Sequence, residues 1–231
     1  MNYHFSQLFY PEYCLLCEET IVSQYFICKA CYQQFPFNQT NCLHCASPLK
    51  ESIDNCGACL HLSPLWHQAI IPFLYQKPIN YYISQLKYHQ QLLQAKLLAD
   101  IFYQAARVQI QQSSPQVIIP IPLHPSRVYQ RGFNQTLEIS KYLQPLVQIP
   151  FDYHLIRRKK NTLPQVGLSR AKRLINLRGS FEVIKPHSYQ HVALLDDVMT
   201  TGATMHEVTK VLLKSGVKTV DIWAIARRGS H

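Results

Sequence analysis

From residue 69 onward the chain carries apolar segments of two kinds. Short continuous runs predict strands at Ala69–Tyr75 (AIIPFLY), Gln116–Ile121 (QVIIPI), His191–Leu195 (HVALL) and Val217–Ala226. Runs without polar alternation suit a parallel sheet covered on both faces. A further short strand is expected near Tyr153–Ile156. Between these runs, apolar residues recur at three and four positions, as in Leu93, Leu97, Leu98, Ile101 and Phe102. That spacing predicts helices over Ile79–Tyr88 and Leu92–Ala106. Asn134–Leu143 reads as a helix ended by Pro145, and Ala203–Lys214 as one stopped by Gly216. The Gln-rich stretch 109–115 reads as a loop. Strands alternating with helices imply an α/β fold with a mostly parallel sheet flanked by helices. The first 60 residues show no such periodicity. The expected organisation is a small N-terminal domain over residues 1–65 and an α/β domain over 66–231.

The cysteines explain how the N-terminal part can fold. All eight fall there, as four C-x-x-C pairs: Cys14–Cys17, Cys28–Cys31, Cys42–Cys45 and Cys56–Cys59. The pairs begin 14 residues apart throughout. Two residues between thiolates let both sulfurs of a tight knuckle reach one zinc ion, and two knuckles complete a closed tetrahedral site. Four knuckles make two structural sites, and the constant spacing suggests a duplicated zinc ribbon. Ligation in sequence order is the simplest pairing; a crossed one fits the spacing equally. His44 and His61 flank knuckle cysteines and are alternative ligands. Disulfides require an oxidising compartment, and no targeting segment points to one. A thioredoxin-type centre needs a single C-x-x-C in a βαβ setting, not four in a row.

Composition narrows the class. With 47% apolar and 16% charged residues, the chain is not of the disordered type. Its longest apolar runs, such as Val117–Leu123, fall far short of a membrane span, which needs about 20 residues. No signal peptide is visible, and a cytoplasmic location is expected. The net charge of +10 is unevenly spread. Residues 1–67 hold two lysines against five acids, a charge of −3, which leaves +13 on the remainder. Residues 153–181 contain Arg157, Arg158, Lys159, Lys160, Arg170, Lys172, Arg173 and Arg178 and no acid. Such a block lies on a surface or lines a site, and it suits a phosphate-rich partner. The seven cations from Arg157 to Arg173 are the nucleic-acid candidates.

The strongest chemical motif is VALLDDVMTTGAT, Val192–Thr204. An apolar strand ends in two acids, and a Thr-Thr-Gly-x-Thr turn opens a helix. The carboxyl ends of strands are where open α/β sheets bind ligands. A helix start offers free amides and a positive dipole end to a phosphate. Thr200, Thr201, Gly202, Ala203 and Thr204 form that loop. Asp196 and Asp197, with Val198 between them and the loop, stand where they can accept from vicinal ribose hydroxyls. The segment lacks the arrangement of a P-loop.

This segment resembles the phosphoribosyl-diphosphate (PRPP) site of type I phosphoribosyltransferases, and the match covers all thirteen residues. A narrower resemblance runs along nearly the whole chain. Pro120-Ile-Pro-Leu-His124, Arg127, Arg131-Gly-Phe-Asn-Gln135 and Leu86-Lys-Tyr88 are similar to segments of the ComF/GntX family. So are Thr162, Gln165, Leu168, Arg173, Asn176 and Phe181, and the Trp223 to Arg227 ending. The resemblance implies a type I phosphoribosyltransferase-like domain preceded by a zinc module. It also implies a role in natural transformation, with single-stranded DNA, a ComFA-like helicase and recombination mediators as partners. A PRPP ligand would further need a diphosphate grip, for which the loop with Leu123, His124 and Arg127 is the candidate. Mg²⁺ would bridge diphosphate and ribose oxygens. Arg131, Gly132, Asn134 and Gln135 serve equally well as ligand contacts or as a loop-to-helix cap. Two other readings stay open: an active phosphoribosyltransferase with an unknown acceptor, and a zinc adaptor with a vestigial pocket.

Overall fold

The computed structural model describes residues 12–21, 25–160 and 176–229. Arg170, Lys172, Arg173, Thr162, Gln165 and Leu168 lie outside them. The elements in chain order begin with β1 (Glu12–Tyr13), β2 (Thr20–Ile21), α1 (Lys29–Gln33) and α2 (Gly57–Leu62). Then follow β3 (Gln68–Ile70), β4 (Phe73–Leu74), α3 (Ile79–His89), α4 (Leu93–Ser113) and β5 (Val117–Pro120). The remainder is α5 (Pro125–Arg131), α6 (Gln135–Val147), β6 (Ile156–Arg158), β7 (Phe181–Val183), β8 (His191–Met199), α7 (Ala203–Lys214) and β9 (Thr219–Arg227).

The main sheet has the order β3-β9-β8-β5, with β4 also on β9, and all its pairs are parallel. Side chains leave its strands alternately to two cores, as the period of two requires. Ile118, Ala193, Leu195, Trp223 and Ile225 join a core with α3, α4 and α6. Val117, Ile119, Val192, Leu194, Val220, Ile222 and Ala224 join a second core with α7. Covering both faces is why the central strands read as unbroken apolar runs. No helix among the described residues is long and apolar enough to cross a membrane.

Each half of the cysteine-rich segment enters a different core. Ile21, Ile27 and Phe35 pack with α3 and α4 on one face. Cys42, Cys45, Ala46, Cys56, Cys59 and Trp66 join the α7 side. Full burial of such large apolar side chains contributes roughly 1.5–3 kcal/mol each. The ribbons are therefore held by the same hydrophobic force that closes the sheet. The Phe26 amide also donates to Asp100 on α4 at 2.9 Å.

Several elements differ from their sequence expectation. Residues 109–113 continue α4 instead of forming a loop, because Ile110 extends the buried stripe of Ala106 and glutamine tolerates a helix well. Helix α6 runs past Pro145 to Val147. Ala69–Tyr75 divides at Ile71–Pro72 into β3 and β4, since Pro72 has no amide to give to the ladder. The strand near Tyr153 begins at Ile156 and pairs antiparallel with β7. Helix α5 has no buried residue, so no apolar stripe announced it. Strand β8 continues through both aspartates to Met199, which matters for the site.

Candidate functional site

A cavity of about 590 Å³ opens at the carboxyl ends of β5, β8 and β9. Because β8 keeps its strand geometry to Met199, Asp196 and Asp197 leave it on opposite faces. Both line the cavity. Asp197 turns toward α3 and forms an ion pair with Lys87. Its own amide donates to Asp196 Oδ1 at 2.8 Å.

The two carboxyls have divergent acidities. Burial and the neighbouring Asp197 charge push Asp196 well above the ordinary carboxylate range. Burial also pushes Asp197 up, but the Lys87 ammonium, the hydrogen bond with Asp196 and the Arg131 charge together outweigh it and hold Asp197 below its ordinary value. Lys87 is raised in turn, because Asp197 outweighs the burial of its ammonium. The two carboxyls thus shift in opposite directions, Asp197 toward its ionised form and Asp196 toward its protonated form.

Gly202 caps α7 with φ 77°, a conformation that strains other residues. A Cβ there would also meet Met199 Cε at 2.9 Å and Trp66 Cη2 at 3.1 Å. The absence of a side chain thus lets the loop pack directly on Met199 and Trp66. Val198, Thr200, Gly202, Ala203 and Thr204 line the cavity. Thr201 holds the turn from behind, its hydroxyl accepting from the Ala203 amide at 3.4 Å. The first-turn amides of α7 have no acceptor within the helix.

The cavity is otherwise cationic. Among the described residues that line it, Lys87, Arg127, Arg131, Arg158 and Arg228 are accompanied by only two acids, Asp196 and Asp197. Burial, reinforced by Arg127, lowers Arg158 to about 10 despite the pull of Asp196. An excess of cations over anions among the described lining residues suits a ligand carrying several negative charges.

The proposed diphosphate loop divides in role. Leu123 and Arg127 line the cavity. His124 instead caps α5, its Nδ1 accepting from the Ser126 amide at 3.2 Å. The Arg131–Gln135 segment divides too. Arg131 and Gln135 line the cavity and are hydrogen-bonded to each other. Gly132 ends α5 with φ 84°. Asn134 caps α6 by accepting from the Thr136 amide at 3.0 Å.

The basic block divides by strand alternation. Arg158 turns inward to the cavity, while Arg157 and Lys159 turn outward and both pair with Glu182. Lys160 donates to the Arg178 carbonyl at 2.9 Å. Sequence reasoning assigned no role to Lys87, Tyr75 or Arg228. Lys87 lies one turn beyond buried Ile83, beside buried Leu86. A lysine at the edge of an apolar stripe needs an acidic partner, and that was its available signal.

Residues 5–60 match the double zinc ribbon domain. Competence protein F of Haemophilus influenzae is 34% identical over 229 residues, covering 95% of this chain and 98% of that protein. The chain belongs to the competence protein F family. DNA utilization protein YhgH of Escherichia coli O157:H7 is 30% identical over 94% of this chain and 97% of that protein. Adenine phosphoribosyltransferase from Leishmania tarentolae superposes with a TM-score of 0.34 at 12% identity, over 60% of this chain and 73% of that one.

In this competence protein F relative, the cysteines gather in sequence order. Cys14, Cys17, Cys28 and Cys31 form one group, and Cys42, Cys45, Cys56 and Cys59 the other. Tetrahedral zinc with sulfur at about 2.3 Å requires sulfurs about 3.8 Å apart. Cys17–Cys28 stand at 3.7 Å, and Cys42–Cys59 and Cys45–Cys56 at 3.8 Å. The geometry fits zinc and favours sequential over crossed ligation. Duplication is visible in the backbone: the Cys28 amide donates to Cys14 Sγ, and the Cys56 amide to Cys42 Sγ, each at 3.3 Å. Burial pushes the Cys14 thiol up, but amides including that of Cys28 outweigh it and lower it to about 6. Cys42 is lowered the same way to about 7. His44 is no ligand; its ring bonds Asn55 Oδ1 at 3.0 Å and the Trp66 carbonyl at 2.8 Å. His61 is exposed and outside both groups.

Proposed function

We propose that this competence protein binds PRPP, or a closely related phosphorylated ribose, while handling incoming single-stranded DNA in the cytoplasm. The observation that carries the ligand reading is the joining, in one cavity, of the Asp196–Asp197–Lys87 cluster, the Thr200–Thr204 loop and an arginine-rich wall. The loop takes the 5′-phosphate, and the aspartates take the vicinal hydroxyls. Arg127, with Arg131 and Arg158, takes the diphosphate. Mg²⁺, where present, would neutralise diphosphate charge.

The same cluster bears on the DNA. Deoxyribose lacks the 2′-hydroxyl that the aspartates recognise, so DNA is assigned to the outer surface and not to the cavity. Its supports are the +13 charge outside the ribbon segment, the outward Arg157 and Lys159, and the competence and DNA utilization for which the relatives are named. Single-stranded DNA affinity is expected to fall steeply with salt, measured by fluorescence anisotropy. Ribose 5-phosphate is expected to compete with PRPP in the cavity, and 2-deoxyribose 5-phosphate to compete far less. A salt-independent DNA affinity, or equal competition by the two sugars, contradicts the reading.

The cavity also supports a second reading, phosphoribosyl transfer. The arginines stand where they would stabilise charge on departing diphosphate. Release of diphosphate from PRPP in the presence of an acceptor tests it.

A further inference from the structure

Arg227 belongs to the sequence motif at the chain's end, yet it does not line the cavity. It is only 5% exposed, and its guanidinium lies behind the phosphate loop. Arg227 Nε donates to the Cys45 carbonyl at 3.1 Å. Its Nη1 donates to the Met199 carbonyl at 3.1 Å and to the Thr200 carbonyl. One rigid side chain thus joins a zinc knuckle to the start of the Thr200–Thr204 loop.

A second contact runs in parallel. Trp66 Nε1 donates to the His44 carbonyl at 2.8 Å, and His44 Nε2 bonds the Trp66 carbonyl at 2.8 Å. This reciprocal pair fixes the indole beside Cys45. The ring then lies against Gly202, where an added Cβ would come within 3.1 Å of it. Met199 and Ala203, on either side of the loop, share a core with Cys42, Cys45, Cys56, Cys59 and Trp66. The first ribbon packs into the other core.

We infer that the second zinc ribbon holds the phosphate loop in its ligand-binding shape, with Arg227 and Trp66 as positioning residues. The consequence for PRPP affinity rests on the ligand reading above; the consequence for loop order does not. Zinc at Cys42, Cys45, Cys56 and Cys59 fixes the Cys45 carbonyl, and this carbonyl orients Arg227. Arginine spans several acceptors with a planar fork, which the single ammonium of lysine cannot reproduce.

The test uses the zinc-loaded full chain, with hydrogen exchange of the 199–204 amides and calorimetric PRPP binding as separate readouts. Arg227→Lys is expected to retain both zinc ions, to speed exchange of the loop about tenfold and to weaken PRPP binding about tenfold, as for loss of a charge-assisted hydrogen bond. Trp66→Phe, which loses the bond to His44 but keeps an aromatic ring, is expected to change both in the same direction by less. It also provides the test if Arg227→Lys does not fold. Loop exchange that stays at the wild-type rate in a zinc-loaded variant overturns the inference. If no PRPP binds to the wild type but loop exchange responds to Arg227→Lys, the ligand reading fails and the coupling stands.

Discussion

Stripping zinc from the chain is expected to lower its melting temperature by about 20 °C or more. Metal binding supplies folding free energy on the order of 10 kcal/mol per closed site. For a domain of this size each kcal/mol moves the midpoint by roughly 2–4 °C. The effect should reach the whole chain, because Ile27 and Phe35 of the first ribbon and Cys42 and Cys45 of the second are buried in the two cores of the sheet. Metal analysis should return two ions per chain, one for each four-cysteine group. Cys17→Ser and Cys45→Ser should each lose one ion and part of the stability. A metal-free chain that melts within a few degrees of the loaded one would show that the ribbons fold by apolar packing alone.

The second large effect is expected at Lys87. Lys87→Met leaves Asp197, which is 3% exposed, without its ammonium partner. Removing one member of a buried pair typically costs about 3–5 kcal/mol. The pH dependence should also change. In the native protein Asp197 is held below the ordinary carboxylate value, so its contribution is present above that value and fades in strong acid. Without Lys87, burial dominates and raises Asp197 above its unfolded value. The native state then binds a proton that the unfolded chain has released, and stability falls as pH rises. Chemical denaturation of the variant at pH 5 and pH 8 checks its sign, and denaturation of the wild type at pH 5 and at about pH 2.5 checks the other. A variant as stable as the wild type at pH 8 contradicts the assignment of Lys87.

What the sequence revealed depended on how local each feature is. The Val192–Thr204 motif was legible because strand, acids, turn and helix are consecutive, and α7 has the bounds its apolar spacing predicted. The cysteine knuckles were legible because their ligands recur at a fixed spacing. Their pairing was not, since two pairings satisfy the same spacing and only the fold brings Cys42 next to Cys59. Helix α5 escaped because it buries nothing, and the tail of α4 because glutamines masked Ile110. Lys87 belongs to the Leu86-Lys-Tyr88 segment, but no local pattern joins it to Asp197 across 110 residues. The Arg227–Cys45 bond links positions 182 residues apart and leaves no local trace.

The split of charge acquires a structural meaning. The basic block reads as one continuous patch in sequence. Strand alternation sends Arg158 into the cavity, while Glu182 neutralises part of Arg157 and Lys159 outside. The cavity itself concentrates positive charge around two aspartates whose acidities shift in opposite directions, which supports the proposed phosphorylated ribose over a neutral metabolite.

The most direct measurement is calorimetric titration of the zinc-loaded chain with PRPP and Mg²⁺, beside the Asp196→Asn/Asp197→Asn variant. The account predicts saturable one-site binding by the wild type. It predicts a loss of about a hundredfold in the variant, the equivalent of two charge-assisted hydrogen bonds. No binding by the wild type, or equal affinity in the two proteins, would contradict it.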